Sequence, residues 1–358
     1  MSLPRTLLKR GAAIFATVAV TLLLICIVAG ASGMEERILR GKMNYLERGY
    51  GTTLRGMVEA GEIEEEDVPR LLEEHRQESL ERYGLDKPWW GRLIPTLVMV
   101  TTFDLGGTGG FRGQEVWTAI SDAFPNTILL IGASMIVSAP LGILLGASTA
   151  RKAKSGGDFV TALLSTISYA IPGWLLGYLL IAALFRVWYN RLTFYGGFAW
   201  SHGTLSVGSV HPVFDFLYYW GLPIVSLAIP SLGFWTYQSR SILSTIAQEE
   251  YVTLAEAKGL SKGRVNRLHI LRVGLPTILT QVGLVLHSTI ANSVAVEVIF
   301  GWEGLGHLLW SVVWSGSINT YGSAGLLLGT VYAYALIYAA IRFALEVLYV
   351  FLDPRIRY

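Results

Sequence analysis

Cysteine is almost missing from this chain of 358 residues: Cys26 is the single one and lies in an apolar run. Neither an intrachain disulfide framework nor a cysteine-based metal site can be built from it. Charge is scarce too. Asp, Glu, Lys and Arg make up 15% of the residues, where a soluble domain usually carries about 25%. The 28 basic and 26 acidic side chains leave a formal charge of +2, which gives no footprint for nucleic acid and no acidic solvating tail. No G-x-x-x-x-G-K-[ST] phosphate cradle occurs, so ATP hydrolysis by this chain is not expected. His202, His211 and His307 stand without the H-E-x-x-H spacing of a zinc site, and no metal is expected on the chain.

What is abundant is apolar: 52% of the residues are hydrophobic. Crossing the hydrocarbon core takes about 20 mostly apolar residues as helix. Five charge-free stretches meet that demand, between Arg10 and Glu35, Asp122 and Arg151, Asp158 and Arg186, Asp215 and Arg240, and Arg272 and Glu297. A sixth runs from Gly325 to about Tyr349 and carries Arg342 and Glu346 one helical turn apart, a candidate intramembrane ion pair. The first stretch exceeds the roughly 7–15 residues of a signal-peptide core and is expected to be retained.

Sidedness follows from Lys and Arg, which stay in cytoplasmic loops. The N-terminus (Arg5, Lys9, Arg10), the link after the second stretch (Arg151, Lys152, Lys154), the link after the fourth (Arg240 to Arg272) and the C-terminus (Arg355, Arg357) are basic. The link from Phe300 to Ala324 has no Lys or Arg, and that from Val187 to Phe214 has only Arg191. Six spans with both termini cytoplasmic are expected. The division that results is 1–34 for the N-terminus and first span, 35–122 for an extracytoplasmic segment, and 123–358 for a core of five spans with a link at 241–272. Within 35–122 the stretch GEIEEEDVPRLLEEHRQESLERYGLDKPWW predicts an amphipathic surface helix stopped at Gly84. The run at 93–103 is too short to span and is expected to pack on the outer face.

The link at 241–272 holds two helix-compatible pieces separated by Gly259. In the first, Tyr251, Leu254, Ala255 and Lys258 fall on one face, with Glu249 and Glu250 where a helix dipole favours acids. In the second, Ser261 is a candidate N-cap, with Val265 and Leu268 on an apolar stripe and Arg264 and Arg267 on a basic one. Two readings fit: a knob that docks on a cytosolic partner, or a membrane-surface helix whose basic side chains meet anionic headgroups.

The string EEYVTLAEAKGLSKGRVNRLHILRVGLP resembles the coupling segment of permease subunits of the dipeptide, oligopeptide and nickel class of ABC importers, with Tyr251, Val252, Ala255, Ala257, Lys258, Gly259, Leu260, Ser261, Val265, His269, Arg272 and Pro276 in register. Other landmarks follow in order. They are Asp104, Leu105 and Gly106, then Asp158 and Pro172, then Glu297, Phe300, Gly304, Leu305 and Gly306, and finally Glu346, Tyr349, Asp353, Pro354, Arg355 and Arg357. The chain departs from the family pattern at Phe103 (commonly Gly), Ala170 (Ser), Glu303 (Pro) and Arg342 (Asn).

The resemblance implies an all-α membrane protein with the six helices of a type I ABC importer permease in the cytoplasmic membrane. It implies a second homologous permease subunit, two cytosolic ATPase subunits that carry the ATP and Mg, and an extracytoplasmic solute-binding protein as partners, beside membrane lipid. It also implies that the knob around Gly259 docks on an ATPase subunit. Phe300, Trp302, Gly304 and Gly306 are candidates for an outer gate. Ser288, Thr289, Asn292 and Ser293 are candidate lining of the translocation path, although such residues also serve plain helix packing in membranes. His287 in the same span is either functional or a neutral hydrogen-bonded side chain. The expected cargo is di- or oligopeptide, with nickel chelates or oligosaccharides as the alternative. An intramembrane enzyme lacks a catalytic pair here, and a secondary transporter would show an internal repeat that is not seen.

Overall fold

The computed structural model describes residues 3–85, 87–106, 115–150, 155–192, 217–314 and 321–352, and its regular elements are helical. In chain order they are α1 (Leu3–Ala31), α2 (Met34–Glu59), α3 (Val68–Tyr83), α4 (Leu93–Thr101), α5 (Val116–Ala150), α6 (Gly156–Ala170) and α7 (Gly173–Leu192). There follow α8 (Leu222–Ile246), α9 (Glu250–Ala257), α10 (Lys262–Val265), α11 (Arg272–Thr280), α12 (Val282–Phe300), α13 (Leu305–Trp314) and α14 (Tyr321–Leu352). The basic residues Arg151, Lys152, Lys154, Arg191, Arg355 and Arg357, with His202 and His211, carry no described side chain.

Among the described residues four helical segments are long and apolar enough to cross a membrane: Gly11–Ala31, Val116–Ala150, Val282–Phe300 and Ala324–Val347. The pair Gly156–Ala170 and Gly173–Ala183 is also apolar enough when taken together, but its halves meet at 95°. The third span expected between Asp158 and Arg186 is thus interrupted at Ile171 and Pro172. Pro172 has no N–H to continue the helix and pushes Ile171 into extended geometry (φ −81°, ψ 120°). The expected fourth span is occupied by α8, which has the length but falls outside that apolar set, since Ser226, Pro230, Ser231, Thr236 and Ser239 dilute it.

The chain divides into two compact units. The larger comprises Pro125–His307 with Met1–Ile14 and Ile337–Tyr358. Its core is built on Trp235, Leu243, Val265, Ile270 and Ile278, all without solvent exposure. Helix α8 is central, packing against α6, α7, α11 and α12. Because lipid tails are as apolar as leucine, close approach rather than water exclusion holds such helices together. A Cβ on Gly146 of α5 would lie 2.8 Å from the Arg240 backbone nitrogen of α8.

The smaller unit comprises Phe15–Phe124 with Leu308–Leu336. Helix α3 stops at Gly84, whose φ of 62° lets the Gly84 and Leu85 N–H groups fold back on the Glu81 and Leu80 carbonyls. A buried ion pair, Arg92 Nε to Glu35 Oε1 at 3.1 Å, ties the start of α2 to the start of α4, and Thr96 Oγ1 donates to the same carboxylate at 2.7 Å. The guanidinium also donates to the Lys87 carbonyl at 2.8 Å, so its charge is well hydrogen-bonded.

Candidate functional site

The segment after α8 is a two-part knob. Helix α9 ends at a Lys258 cap, and Gly259 takes a left-handed φ of 78° while donating to the Glu256 carbonyl at 2.9 Å. That conformation favours glycine and turns the chain into α10. Ser261 stands at the N-cap of α10, but its side chain makes no capping bond; its carbonyl accepts from Val265 N at 3.0 Å. Val252, Ala255 and Val265 are buried together with Ala147 and Ala150 of α5, and Leu260 is partly buried beside them.

The single face expected for Tyr251, Leu254, Ala255 and Lys258 is split. Ala255 turns inward with Val252, while Tyr251 (40%) and Leu254 (55%) stay exposed beside exposed Ala257 and Lys258. Leu268, expected on the apolar stripe with Val265, is half-buried in a π-helical stretch, Asn266–Leu271. The Tyr251 hydroxyl donates to the His269 carbonyl at 3.3 Å, which fixes the first piece on the second.

The break in the third span faces α12. Asn292 Oδ1 accepts from the Gly173 N–H at 3.1 Å, and its amide nitrogen donates to the Ser288 carbonyl at 2.8 Å. A cavity of about 220 Å³ opens at the break, lined by residues 169–173, by Leu227, Pro230, Ser231 and Phe234 of α8, and by Val285, Ser288, Thr289 and Asn292 of α12. Irregular backbone at membrane depth is tolerated where it lines such a cavity. Of the four candidate lining residues three reach it. Ser293 is buried elsewhere and donates to the Ile290 carbonyl at 2.9 Å.

At the other end of α12 the chain makes a tight exit turn held by one carboxylate. Glu297 is wholly buried. Its Oε1 accepts from Thr127 Oγ1 at 2.9 Å, and its Oε2 accepts from the Gly306 and His307 N–H groups at 2.6 and 3.3 Å. The last two are first-turn donors of α13, where the helix dipole favours negative charge. Thr127 Oγ1 also accepts from Leu305 N at 2.8 Å. Trp302 Nε1 donates to the Asn126 carbonyl at 3.0 Å, and the Asn126 amide donates to the Glu303 carbonyl at 2.8 Å. A side chain on Gly304 would run into Glu297 and would sit 2.6 Å from Thr127 Oγ1. Trp302 packs edge-on against Trp220 at 5.1 Å, and the Phe300 ring covers Gly177 of α7.

Arg342 and Glu346 form an ion pair at 3.2 Å along α14. His287 is exposed on α12. Among the described residues no group of His, Cys, Asp and Glu has the arrangement of a metal site.

Residues 138–358 match the family of binding-protein-dependent transport system inner membrane components. The chain belongs to that family. The permease is 30% identical over 290 residues to the oligopeptide transport system permease protein AppB of Bacillus subtilis (strain 168), an overlap of 81% of this chain and 87% of the relative. It is 29% identical over 292 residues to the di/tripeptide transport system permease protein DppB of Pseudomonas aeruginosa (strain UCBPP-PA14), covering 78% and 84%. It is 26% identical over 290 residues to the dipeptide transport system permease protein DppB of Lactococcus lactis subsp. cremoris (strain MG1363), covering 81% and 88%. The protein is thus a multi-pass permease component of a transport system, not a catalytic subunit.

Sequence reasoning about the permease missed three groups. Asn126 and Thr127 carried no signal, because their partners lie 177 and 170 residues away. Glu297 entered as the end of a charge-free stretch and as a family landmark; with the glycine-rich turn that follows it, that position marks a buried acid in need of donors. Asp158 and Arg240 served as span boundaries and prove to be partners: the guanidinium holds the carboxylate through Nε to Oδ1 and through Nη2 to Oδ2 at 2.7 Å.

Proposed function

We propose that this permease is the transmembrane pore subunit of an ATP-driven importer of di- or oligopeptides, working beside a second homologous permease subunit. Substrate is delivered by an extracytoplasmic solute-binding protein, and two cytosolic ATPase subunits hold ATP and Mg and supply the motion. Both termini are cytoplasmic, six helices cross the membrane with α8 as the fourth, and residues 35–122 are extracytoplasmic. Peptide cargo is supported by the relatives, which are named as oligopeptide, di/tripeptide and dipeptide permeases.

The observation that carries the reading is the knob at Gly259: an exposed Tyr251 and Leu254 beside a left-handed turn, on a base of buried Val252, Ala255 and Val265. An apolar face of this kind on a rigid support fits a cleft in a partner. ATP-driven closure of the two ATPase subunits would pull on both permeases and rock their helices between two packings, so that the path opens to one side at a time. Ser288, Thr289 and Asn292 line that path, and Phe300, Trp302, Gly304 and Gly306 form its outer gate.

Gly259→Trp tests the reading. A Cβ at Gly259 meets nothing within 4 Å in this chain, so the indole has room. The left-handed backbone costs a non-glycine residue about 1–2 kcal/mol, too little to unfold the bundle. Membrane insertion should stay normal while transport is lost and the ATPase subunits are released or no longer stimulated by loaded binding protein. Normal transport with normal ATPase retention refutes the coupling role and favours a membrane-surface helix.

A further inference from the structure

We propose that the Asp158–Arg240 ion pair is the joint through which movement of the segment 241–272 is passed to α6, and so to the break at Ile171 and Pro172. The inference rests on the proposed docking of that segment on an ATPase subunit. Asp158 and Arg240 are positioning residues in this role, acting at a distance from the cavity.

The connection between α8 and α9 is stiff. Ala247 N–H bonds to the Leu243 carbonyl at 2.9 Å, Gln248 to Thr245 and Glu249 to Ile246, both at 3.1 Å, and the chain turns at Glu249 (φ −70°, ψ 145°) into α9, whose Val252 N–H bonds back to the Glu249 carbonyl at 3.0 Å, so a short hydrogen-bonded turn and not a long linker joins the two helices. Arg240 sits in the last turns of α8, and Asp158 in the first turn of α6. The Asp158 backbone is itself pinned, since its N–H donates to the Ser155 hydroxyl at 3.2 Å. The carboxylate side chain is 4% exposed and the guanidinium 23%. Two parallel bonds between a planar fork and a planar carboxylate fix orientation as well as distance, which a single contact cannot do. A rotation of α8 is therefore handed on to α6.

The far end of α6 is held to the same helix. The Ser168 hydroxyl donates to the Ile229 carbonyl of α8 at 2.7 Å, and a Cβ on Gly233 would lie 2.6 Å from the Ser165 carbonyl oxygen. With both ends fixed, α6 and α8 move as one body with the knob. Compliance is left at Ile171 and Pro172, where helical bonding stops; α7 beyond the break also packs on α8, but its start is pinned to α12 by the Gly173 N–H bond to Asn292, an anchor that α6 lacks among the described residues. Displacement of the knob thus bends the cavity wall at 169–173.

The test uses the whole complex in proteoliposomes, with ATPase subunits and peptide-loaded binding protein, and reads peptide transported per ATP hydrolysed. Asp158→Asn and Arg240→Gln should keep the ATPase subunits and their turnover, yet lose roughly tenfold in transport per ATP, in the middle of the range for coupling between contacting residues. Asp158→Glu, which keeps the carboxylate, should recover most of the ratio. A merely structural role lowers the amount of complex and leaves the ratio alone. An unchanged ratio in Asp158→Asn and Arg240→Gln, or Asp158→Glu as poor as Asp158→Asn, overturns the proposal. Should those neutral variants fail to assemble, Arg240→Lys keeps the charge and loses the fork; a reduced ratio in it supports the joint and a wild-type ratio overturns it. Failure of the ATPase assignment shows differently, as Gly259→Trp complexes that transport normally whatever the Asp158→Asn ratio.

Discussion

Replacing Glu297 probes the exit turn most directly, because its carboxylate, itself without exposure, collects two buried donors and the half-buried His307 N–H. Glu297→Ala strips the acceptors from the Gly306 and His307 N–H groups and from the Thr127 hydroxyl. Each buried donor left without a partner costs about 1–3 kcal/mol. The two N–H groups cannot rotate away; the hydroxyl can turn to another acceptor. A loss of about 3 kcal/mol is therefore expected. Glu297→Gln should be far milder. Its carboxamide oxygen can serve Gly306 and His307 while its N–H₂ donates to Thr127 Oγ1, so about 1 kcal/mol covers the lost charge at the α13 start. The assay is the apparent melting temperature of the detergent-purified permease complex, followed by size-exclusion fluorescence after heating. A shift of about 5 °C or more is expected for Glu297→Ala, with Glu297→Gln less than half as far. A Glu297→Ala complex that melts with the wild type, or a Glu297→Gln complex that melts with Glu297→Ala, would refute the donor accounting. The same turn carries Phe300 and Trp302, so the alanine variant should also leak small ions at rest if those rings close the outer gate.

Two further outcomes follow from charge placement. Since a lone charge within a span is expensive, Glu346→Gln should lower assembled permease more than the double change Arg342→Asn with Glu346→Gln, measured as membrane complex per cell; equal losses would argue against a working pair. In a background lacking Cys26, cysteines at Ser155 and Ser261 should resist impermeant thiol reagents in intact cells while one at Ser209 reacts, and the reverse pattern would invert the proposed sidedness.

Features written in neighbouring residues were legible in the sequence. Gly259 between two periodic pieces, Gly84 after the acidic helix, and the Arg342–Glu346 spacing each need only the local chain to be understood. What stayed hidden depends on distant partners. Counting uncharged residues between Asp158 and Arg186 measures apolarity, and a helix that turns by 95° at Pro172 is as apolar as a straight one. The same count treats Asp158 and Arg240 as the ends of two spans. It is blind to the packing of α6 along α8 that brings those ends together. Ser293 was grouped with Ser288, Thr289 and Asn292 by polarity; the helical turn that carries the other three to the cavity points Ser293 back into its own helix wall. Composition identifies polar residues in a span, and only the neighbouring helices decide which of them face open space.

Phe103 shows how far such tertiary compensation reaches. It stands where the family pattern has glycine, and its φ is +56°, a left-handed value rare for a bulky residue. On local grounds the substitution costs about 1–2 kcal/mol. Its ring, however, packs on Trp117 at 5.3 Å and on Tyr332 at 5.1 Å, two contacts that a glycine cannot make. Aromatic pairs contribute about 0.5–1.5 kcal/mol each beyond burial, enough together to offset the backbone. The turn after α4 therefore keeps the conformation a glycine would have allowed, held from outside by Trp117 of α5 and Tyr332 of α14. At this position ring packing, and not backbone freedom, stabilises the turn.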